Sequence, residues 1–260
     1  MKRLAFSLII TLLGICEAYS QYDLRFEGFA RSLPLGAYAR VEAGYSLPLW
    51  KHKGPLYGFI RPYTQFQTSG LINSLHAGIE IFPVSFWGIY AGRTQMIRSL
   101  KKLDQVDCDR TDITCESNNI GRNRFGTKLA LKFGSVFTLT RLQWHKTFIR
   151  DNENQFFFDE QGTLLGLGNE DTLFQAIQII GMDLDNTHGV AALHKRNLMQ
   201  KSGQDSSMSV LLYKRNFKSD FKNPYTLLIG PGVFHTRTNS DHLMLFALLQ
   251  FSYEKGLTLF

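Results

Sequence analysis

From Leu243 to Tyr253 every second residue is apolar: Leu243, Leu245, Ala247, Leu249, Phe251 and Tyr253. From Gln250 the positions between them are polar, namely Gln250, Ser252 and Glu254. A period of two belongs to a strand with unlike faces and is incompatible with a helix, whose period is 3.6. The last residue, Phe260, is aromatic.

The same period recurs upstream in runs of about ten residues separated by turn residues. Between Asp23 and Arg31, Leu24, Phe26, Gly28 and Ala30 oppose Arg25, Glu27 and Arg31. Between Gly36 and Leu47, Ala37, Ala39, Val41, Ala43 and Tyr45 oppose Arg40, Glu42 and Ser46. Leu56 to Phe66 carries Arg61 and Gln65 on its polar face, and Ile72 to Phe82 carries Ser74, His76 and Glu80. Phe86 to Arg98 places Arg93 and Gln95 on one face. Arg124 to Phe133 sets Phe125, Thr127, Leu129, Leu131 and Phe133 against Lys128 and Lys132. Val136 to Thr147 has Arg141, Gln143 and His145 on its polar side. Further runs cover Asp171 to Gly181, His188 to Leu198, Ser207 to Phe217 and Tyr225 to His235, before the terminal strand. The expected count is twelve, with ten or fourteen left open by the irregular eighth to tenth runs. The stretch Thr172 to Ile180 also reads as a short amphipathic helix within a loop.

A C-terminal alternating strand ending on Phe, behind an export signal, resembles the terminal strand of bacterial outer-membrane β-barrels. The resemblance implies an all-β, antiparallel up-and-down barrel in the Gram-negative outer membrane. It also implies that Tyr253 and Phe260 carry an assembly signal read by the barrel-assembly machinery, and that the last strand closes on the first. Strict alternation puts Lys255 on the same face as Tyr253 and Phe260 on the other, so a bulge near Lys255 and Gly256 is expected. In this class both chain ends lie on the periplasmic side, so odd-to-even connections are outer loops and even-to-odd ones are short turns. The connections agree. The two longest polar segments, Ser99 to Asn123 and Phe148 to Glu170, are odd-to-even, and the short Pro83-Val84-Ser85 and Gly134-Ser135 are even-to-odd. Trp50, Trp87, Trp144, Tyr225 and Tyr253 fall near strand ends, where an interfacial girdle would place them.

Residues 1–20 read as a secretory signal peptide: Lys2 and Arg3, the apolar run Leu4 to Ile15, and Ala18-Tyr19-Ser20 before the expected cut at Gln21. Residues 21–260 are then one domain. Loss of Lys2, Arg3 and Glu17 takes the formal charge from +7 to +7 − 2 + 1 = +6. Two cysteines remain, Cys108 and Cys115, in the polar stretch CDRTDITC. Export to an oxidising compartment makes a loop disulfide the expectation, over a metal site that has no histidine nearby.

Barrel strands with apolar faces toward lipid turn their polar faces inward. The expected lumen lining is Arg25, Arg31, Arg40, Arg61, Arg93, Lys128, Lys132, Arg141, His76 and His145, against Glu27, Glu42 and Glu80. Such an imbalance attracts anions, which points to a passive channel for small anionic or polar solutes. The alternative is a closed barrel acting through its loops, with Arg25, Glu27, Arg40 and Glu42 forming cross-strand ion pairs and Phe29, Tyr38 and Phe137 filling space.

An enzyme is not expected. The nearest candidate is His235 with Ser240, in a loop faintly similar to the His-x-Ser-Asn element of outer-membrane phospholipase A and lipid A deacylase. Thr236 and Arg237 stand where that element needs a serine two residues on. There is no HExxH and no paired CxxC, so neither a metal nor a cofactor is expected. The basic residues are spread over strands rather than gathered in one patch, which speaks against nucleic acid. Outer-membrane lipid and lipopolysaccharide are the expected surroundings.

Overall fold

A computed structural model describes residues 21–32, 35–51, 56–99, 113–114, 116–149, 156–159, 163–217, 225–236 and 239–254. Twelve strands close a barrel in which each pairs antiparallel with its neighbours. They are β1 (Gln21–Arg31), β2 (Gly36–Lys51), β3 (Tyr57–Thr68), β4 (Ile72–Val84), β5 (Trp87–Ser99), β7 (Glu116–Phe133), β8 (Val136–Ile149), β11 (Glu170–Asp183), β12 (His188–Met199), β13 (Asp205–Phe217), β14 (Tyr225–Thr236) and β15 (Asn239–Glu254). Between them lie β6 (Ile113–Thr114), β9 (Phe156–Asp159) and β10 (Leu164–Leu167), which form a separate small sheet in the order β10-β9-β6. The closing seam is β15 on β1, with Leu24 opposite Tyr253, Phe26 opposite Phe251 and Gly28 opposite Leu249. Closure satisfies every strand edge, the one way alternating strands of this length can sit in hydrocarbon.

The terminal alternation is realised with Leu243, Leu245 and Leu249 exposed on the outer wall and Met244 and Phe246 buried inside. Residues 172–180 belong to β11, not to a helix. Leu173 and Gln175 are buried on its inner face, while Phe174 packs beside Trp144 on the outer face at 5.2 Å between ring centres. Pairing on both sides, to β8 and to β12, outweighs the local helical pattern. The sixth barrel strand begins at Glu116, well before the expected Arg124, and so brings Arg122 onto the wall beside Arg124. The signal peptide, Cys108, Cys115 and the expected bulge near Lys255, with Phe260, lie outside the described residues.

Two local devices shape the wall. At Gly134, φ is +59°, which lets Gly134-Ser135 join β7 to β8 in a tight turn. Gly230, in the Gly-Pro-Gly stretch of β14, faces β13 so closely that a Cβ there would lie 1.7 Å from the Leu211 carbonyl oxygen. Cross-strand pairing is interrupted at that point, between Val210-Gly232 and Tyr213-Ile229. Pro231 lacks an N–H and fits such a break.

The interior divides into two halves. Across β12–β15 an apolar cluster fills it, where Leu193, Met208, Val210, Leu212, Phe234, Met244 and Phe246 pack together between polar ends that include Asn197, Ser206 and Lys214. Across β1–β8 it is polar and charged. Aromatic side chains bridge the two, with Phe29 stacked on Tyr38 at 4.8 Å and edge-on to Phe246 at 5.2 Å.

Candidate functional site: the basic interior and its plug

The charged half is organised by Arg61, which is 2% exposed. Its guanidinium meets Asp23 at 2.5 Å, Glu42 at 2.7 Å and Glu80 at 3.3 Å. Glu80 also accepts from Lys128 at 2.9 Å. Gly44 makes room for this cluster, since a Cβ there would lie 2.4 Å from the Arg61 guanidinium. The pairs foreseen between β1 and β2 are present: Arg40 lies 3.1 Å from Glu27 and Arg25 lies 3.8 Å from Glu42. At the end away from the long connections, Lys132 and Lys214 both bind Asp183, at 2.8 and 2.9 Å. Arg141 lies inside, its guanidinium 5.9 Å from the Tyr90 ring centre.

Arg93 corrects the sequence reading. On β5 the inner positions are Tyr90, Gly92, Thr94, Met96 and Arg98, and Arg93 stands on the outer wall with its guanidinium 5.5 Å over the Phe148 ring. A long aliphatic stem lets arginine lie along an apolar surface with its head group displaced toward water. Polarity alone therefore assigned the wrong face.

A small cavity of about 30 Å³ lies beside the arginines of β2 and β7. Its lining includes Arg40, Arg122, Arg124, His76 and His145, with Gln65 and Gln67, and no carboxylate. Arg124 donates to Tyr63 Oη at 2.5 Å and to His76 Nε2 at 3.0 Å. For Nε2 to accept, the His76 proton must sit on Nδ1, which then donates to Thr94 Oγ1 at 2.9 Å. His145, 1% exposed, has neither ring nitrogen hydrogen-bonded, and Arg124 Nε is likewise unpartnered. Buried polar atoms left without a partner are rare in folded proteins and mark this cavity as polar. Among the described residues no group of three His, Cys, Asp or Glu is placed to hold a metal ion.

Above this cavity β9 and β10 lie in the barrel mouth. Phe157 and Asp159 of β9 are fully buried, and Phe157 and Leu164 pack against Met96, Ile120, Ile149, Leu173 and Met199 of the wall. Asp159 accepts from Arg122 at 2.7 Å, and the Phe158 carbonyl accepts from Arg98. Thr163 Oγ1 accepts from Arg31 at 2.9 Å, on the strand diametrically opposite β8 and β11. β9, Thr163 and β10 thus form a plug across the mouth.

The architecture is a closed, twelve-stranded antiparallel up-and-down β-barrel with an apolar outer wall. Trp50 and Trp87 are partly exposed on the outer wall at the turn end, where Trp50 Nε1 donates to the Pro83 carbonyl and Trp87 Nε1 to Thr127 Oγ1. Phe125, Trp144 and Phe174 form a row on the outer wall toward the other end. No family model matches the sequence, and no curated protein matches it. Among solved structures, the chain is similar to the KdgM porin at 9% identity and a TM-score of 0.45, covering 89% of this chain and 99% of that one. It is similar to the NanC porin at 10% identity and a TM-score of 0.44, with the same coverages. It is similar to the translocator domain of the autotransporter NalP from Neisseria meningitidis at 9% identity and a TM-score of 0.38, covering 97% of this chain and 95% of that one. The fold assignment rests on the strand pairing, which closes the barrel independently of these likenesses.

Of the residues expected in the lumen, Arg25, Arg31, Arg40, Arg61, His76, Lys128, Lys132, Arg141, His145, Glu27, Glu42 and Glu80 occupy inner positions, and Arg93 does not. Sequence reasoning missed Asp23, Arg98, Arg122 and Arg124. The alternation of Ile120, Arg122 and Arg124 continues that of β7 backwards and was the signal available.

Proposed function

We propose that this protein is an outer-membrane barrel that passes small anionic solutes through a narrow basic interior. The observation that carries the reading is the cavity bordered by Arg40, Arg122, Arg124, His76 and His145 without a carboxylate, with the His145 nitrogens unpartnered. Low-dielectric walls focus the field of such a cluster, so an anion gains there and a cation is repelled. The other basic groups are matched: Arg40 by Glu27, Arg122 by Asp159, and Arg61 and Lys128 by Asp23, Glu42 and Glu80, which makes them bracing rather than selective. Selectivity would therefore reside at Arg124 and its neighbours.

The test is the reversal potential of refolded protein in planar bilayers under a salt gradient. Arg124→Glu should move it toward cation preference, and Arg93→Glu, on the outer wall, should leave it where it was. Equal effects of the two, or none from Arg124→Glu, would refute the assignment. The second reading, a closed barrel acting at its outer surface, is supported by the β9–β10 plug across the mouth; it predicts no conductance from folded, inserted protein.

A further inference from the structure

A row of polar side chains crosses the outside of the barrel on four consecutive strands. Arg196 on β12 is the register partner of Ser207 on β13, and Ser207 is the partner of His235 on β14. His235 Nδ1 lies 2.8 Å from Asp241 Oδ1 on β15. Alternation turns all four outward, since the intervening Asn197, Ser206, Phe234 and Thr236 are buried inside. Charges on a lipid-facing wall cost about 2–4 kcal/mol at the midplane and about 0–1 near the interface. This row lies close to the strand ends at Met199, Asp205, Thr236 and Asn239. At about 3.3 Å per residue it sits within roughly 10 Å of the rim, the level of lipid ester linkages rather than of acyl tails.

The order of groups is that of nucleophilic acyl transfer. Asp241 fixes the imidazole through Nδ1, which leaves Nε2 as the base. Ser207 is the cross-strand neighbour of that imidazole, and such partners hold their Cβ atoms about 5 Å apart. Arg196, on the other side of Ser207, offers a cation to a developing oxyanion. A second feature points to the substrate. Further along the same strands, away from the rim, an apolar groove of about 520 Å³ opens on the outer wall, bordered by Val190, Ala192, Leu211, Tyr213, Ile229 and Pro231. Acyl chain and ester would lie along one line from groove to row.

We propose that Ser207, His235 and Asp241 form a serine hydrolase centre for acyl esters of membrane lipids, with Arg196 stabilising the oxyanion and the groove receiving the acyl chain. Ser207 Oγ bonds to the ester carbonyl carbon as its proton passes to His235 Nε2. The carbon–oxygen bond to the lipid alcohol breaks, and that oxygen takes the proton from His235. Water then adds to the acyl-serine, gives a proton to His235, and the fatty acid leaves as that proton returns to Ser207. Asp241 acts through His235 and is a positioning residue. One register deeper, His194 Nδ1 lies 2.9 Å from Ser209 Oγ, but the next partners across are Val233 and Leu243, so this pair has no carboxylate to orient it. The site is independent of whether the interior conducts. His235 with Ser240 is the pair that the sequence reading weighs and sets aside; the proposal joins His235 to Ser207 instead.

The experiment is fluorophosphonate labelling of the refolded full chain in detergent–lipid micelles, with peptide mapping, alongside fatty-acid release from diacyl phospholipid vesicles and, separately, from lipid A vesicles. The expected label is on Ser207, lost in Ser207→Ala and kept in Ser209→Ala. His235→Ala should lower release by about 100-fold or more, and Asp241→Asn should lower kcat with KM unchanged. The vesicle type that supports release identifies the lipid. Absence of label on Ser207, a label on Ser209 instead, or label without release from either lipid would overturn the proposal. The heat-modifiable electrophoretic shift of a folded barrel verifies that each variant is folded.

Discussion

Arg61→Met is the sharpest perturbation of the interior. The guanidinium is almost fully buried and is shared by Asp23, Glu42 and Glu80. After its removal Glu80 keeps Lys128 at 2.9 Å, whereas among the described residues Asp23 and Glu42 keep Arg25 alone as an ion-pair partner, at 3.6 and 3.8 Å. The loss therefore falls on two carboxylates facing each other with little compensation. Deleting one partner of a buried pair costs about 3–5 kcal/mol, while an exposed pair is worth about 0–1 kcal/mol. We expect the upper range. Urea unfolding of the barrel refolded into lipid vesicles, followed by tryptophan fluorescence, reads the difference. The triple variant Arg61→Met, Asp23→Leu, Glu42→Leu should regain most of the stability, because apolar groups of similar size replace the whole cluster. A loss below about 1 kcal/mol for Arg61→Met would show that water screens the cluster, and the reasoning about a braced, narrow interior would fail.

Three further outcomes are expected. Gly230→Ala should destabilise the barrel by more than about 2 kcal/mol through overpacking against the Leu211 carbonyl, read as a lowered urea midpoint; an unchanged midpoint would show that β13 and β14 can part there. Asp159→Ala removes the buried carboxylate that Arg122 holds at 2.7 Å, so the plug should loosen and proteolysis between β8 and β11 should quicken; equal cleavage rates would argue that the packing of Phe157 alone holds the segment. For Cys108 and Cys115, intact mass without reductant should be lower by about two hydrogens if the loop disulfide forms as exported proteins favour; two alkylatable thiols would exclude it.

The strand pattern was legible because each barrel strand has one face against lipid and one against side chains, a contrast that alternation records directly. Asp23 to Arg31 and the run from Leu243 show it, and their pairing at the seam follows. Arg93 was misassigned because an arginine head can leave an apolar wall along its own stem, so its charge does not reveal its face. Arg122 was overlooked because β7 begins inside a polar stretch that reads as loop until β5 and β8 pair with it, and Arg124 because it opened the expected run and was not counted on its polar face. The plug was illegible for a different reason. Asp159 and Thr163 find Arg122 and Arg31 only after the barrel has closed, and no local pattern encodes such contacts. The outer row is similar: the sequence drew attention to His235 with Ser240, but Arg196 and Ser207 lie on other strands and become its neighbours only through register.

The central claim is that anions are favoured along the basic interior. The most direct measurement is the reversal potential of the wild-type barrel in a planar bilayer under a salt gradient. We predict small single-channel steps with anion preference, arising at the cavity bordered by Arg40, Arg122, Arg124 and His145. Cation preference, or silence from protein shown to be folded and inserted, would contradict it.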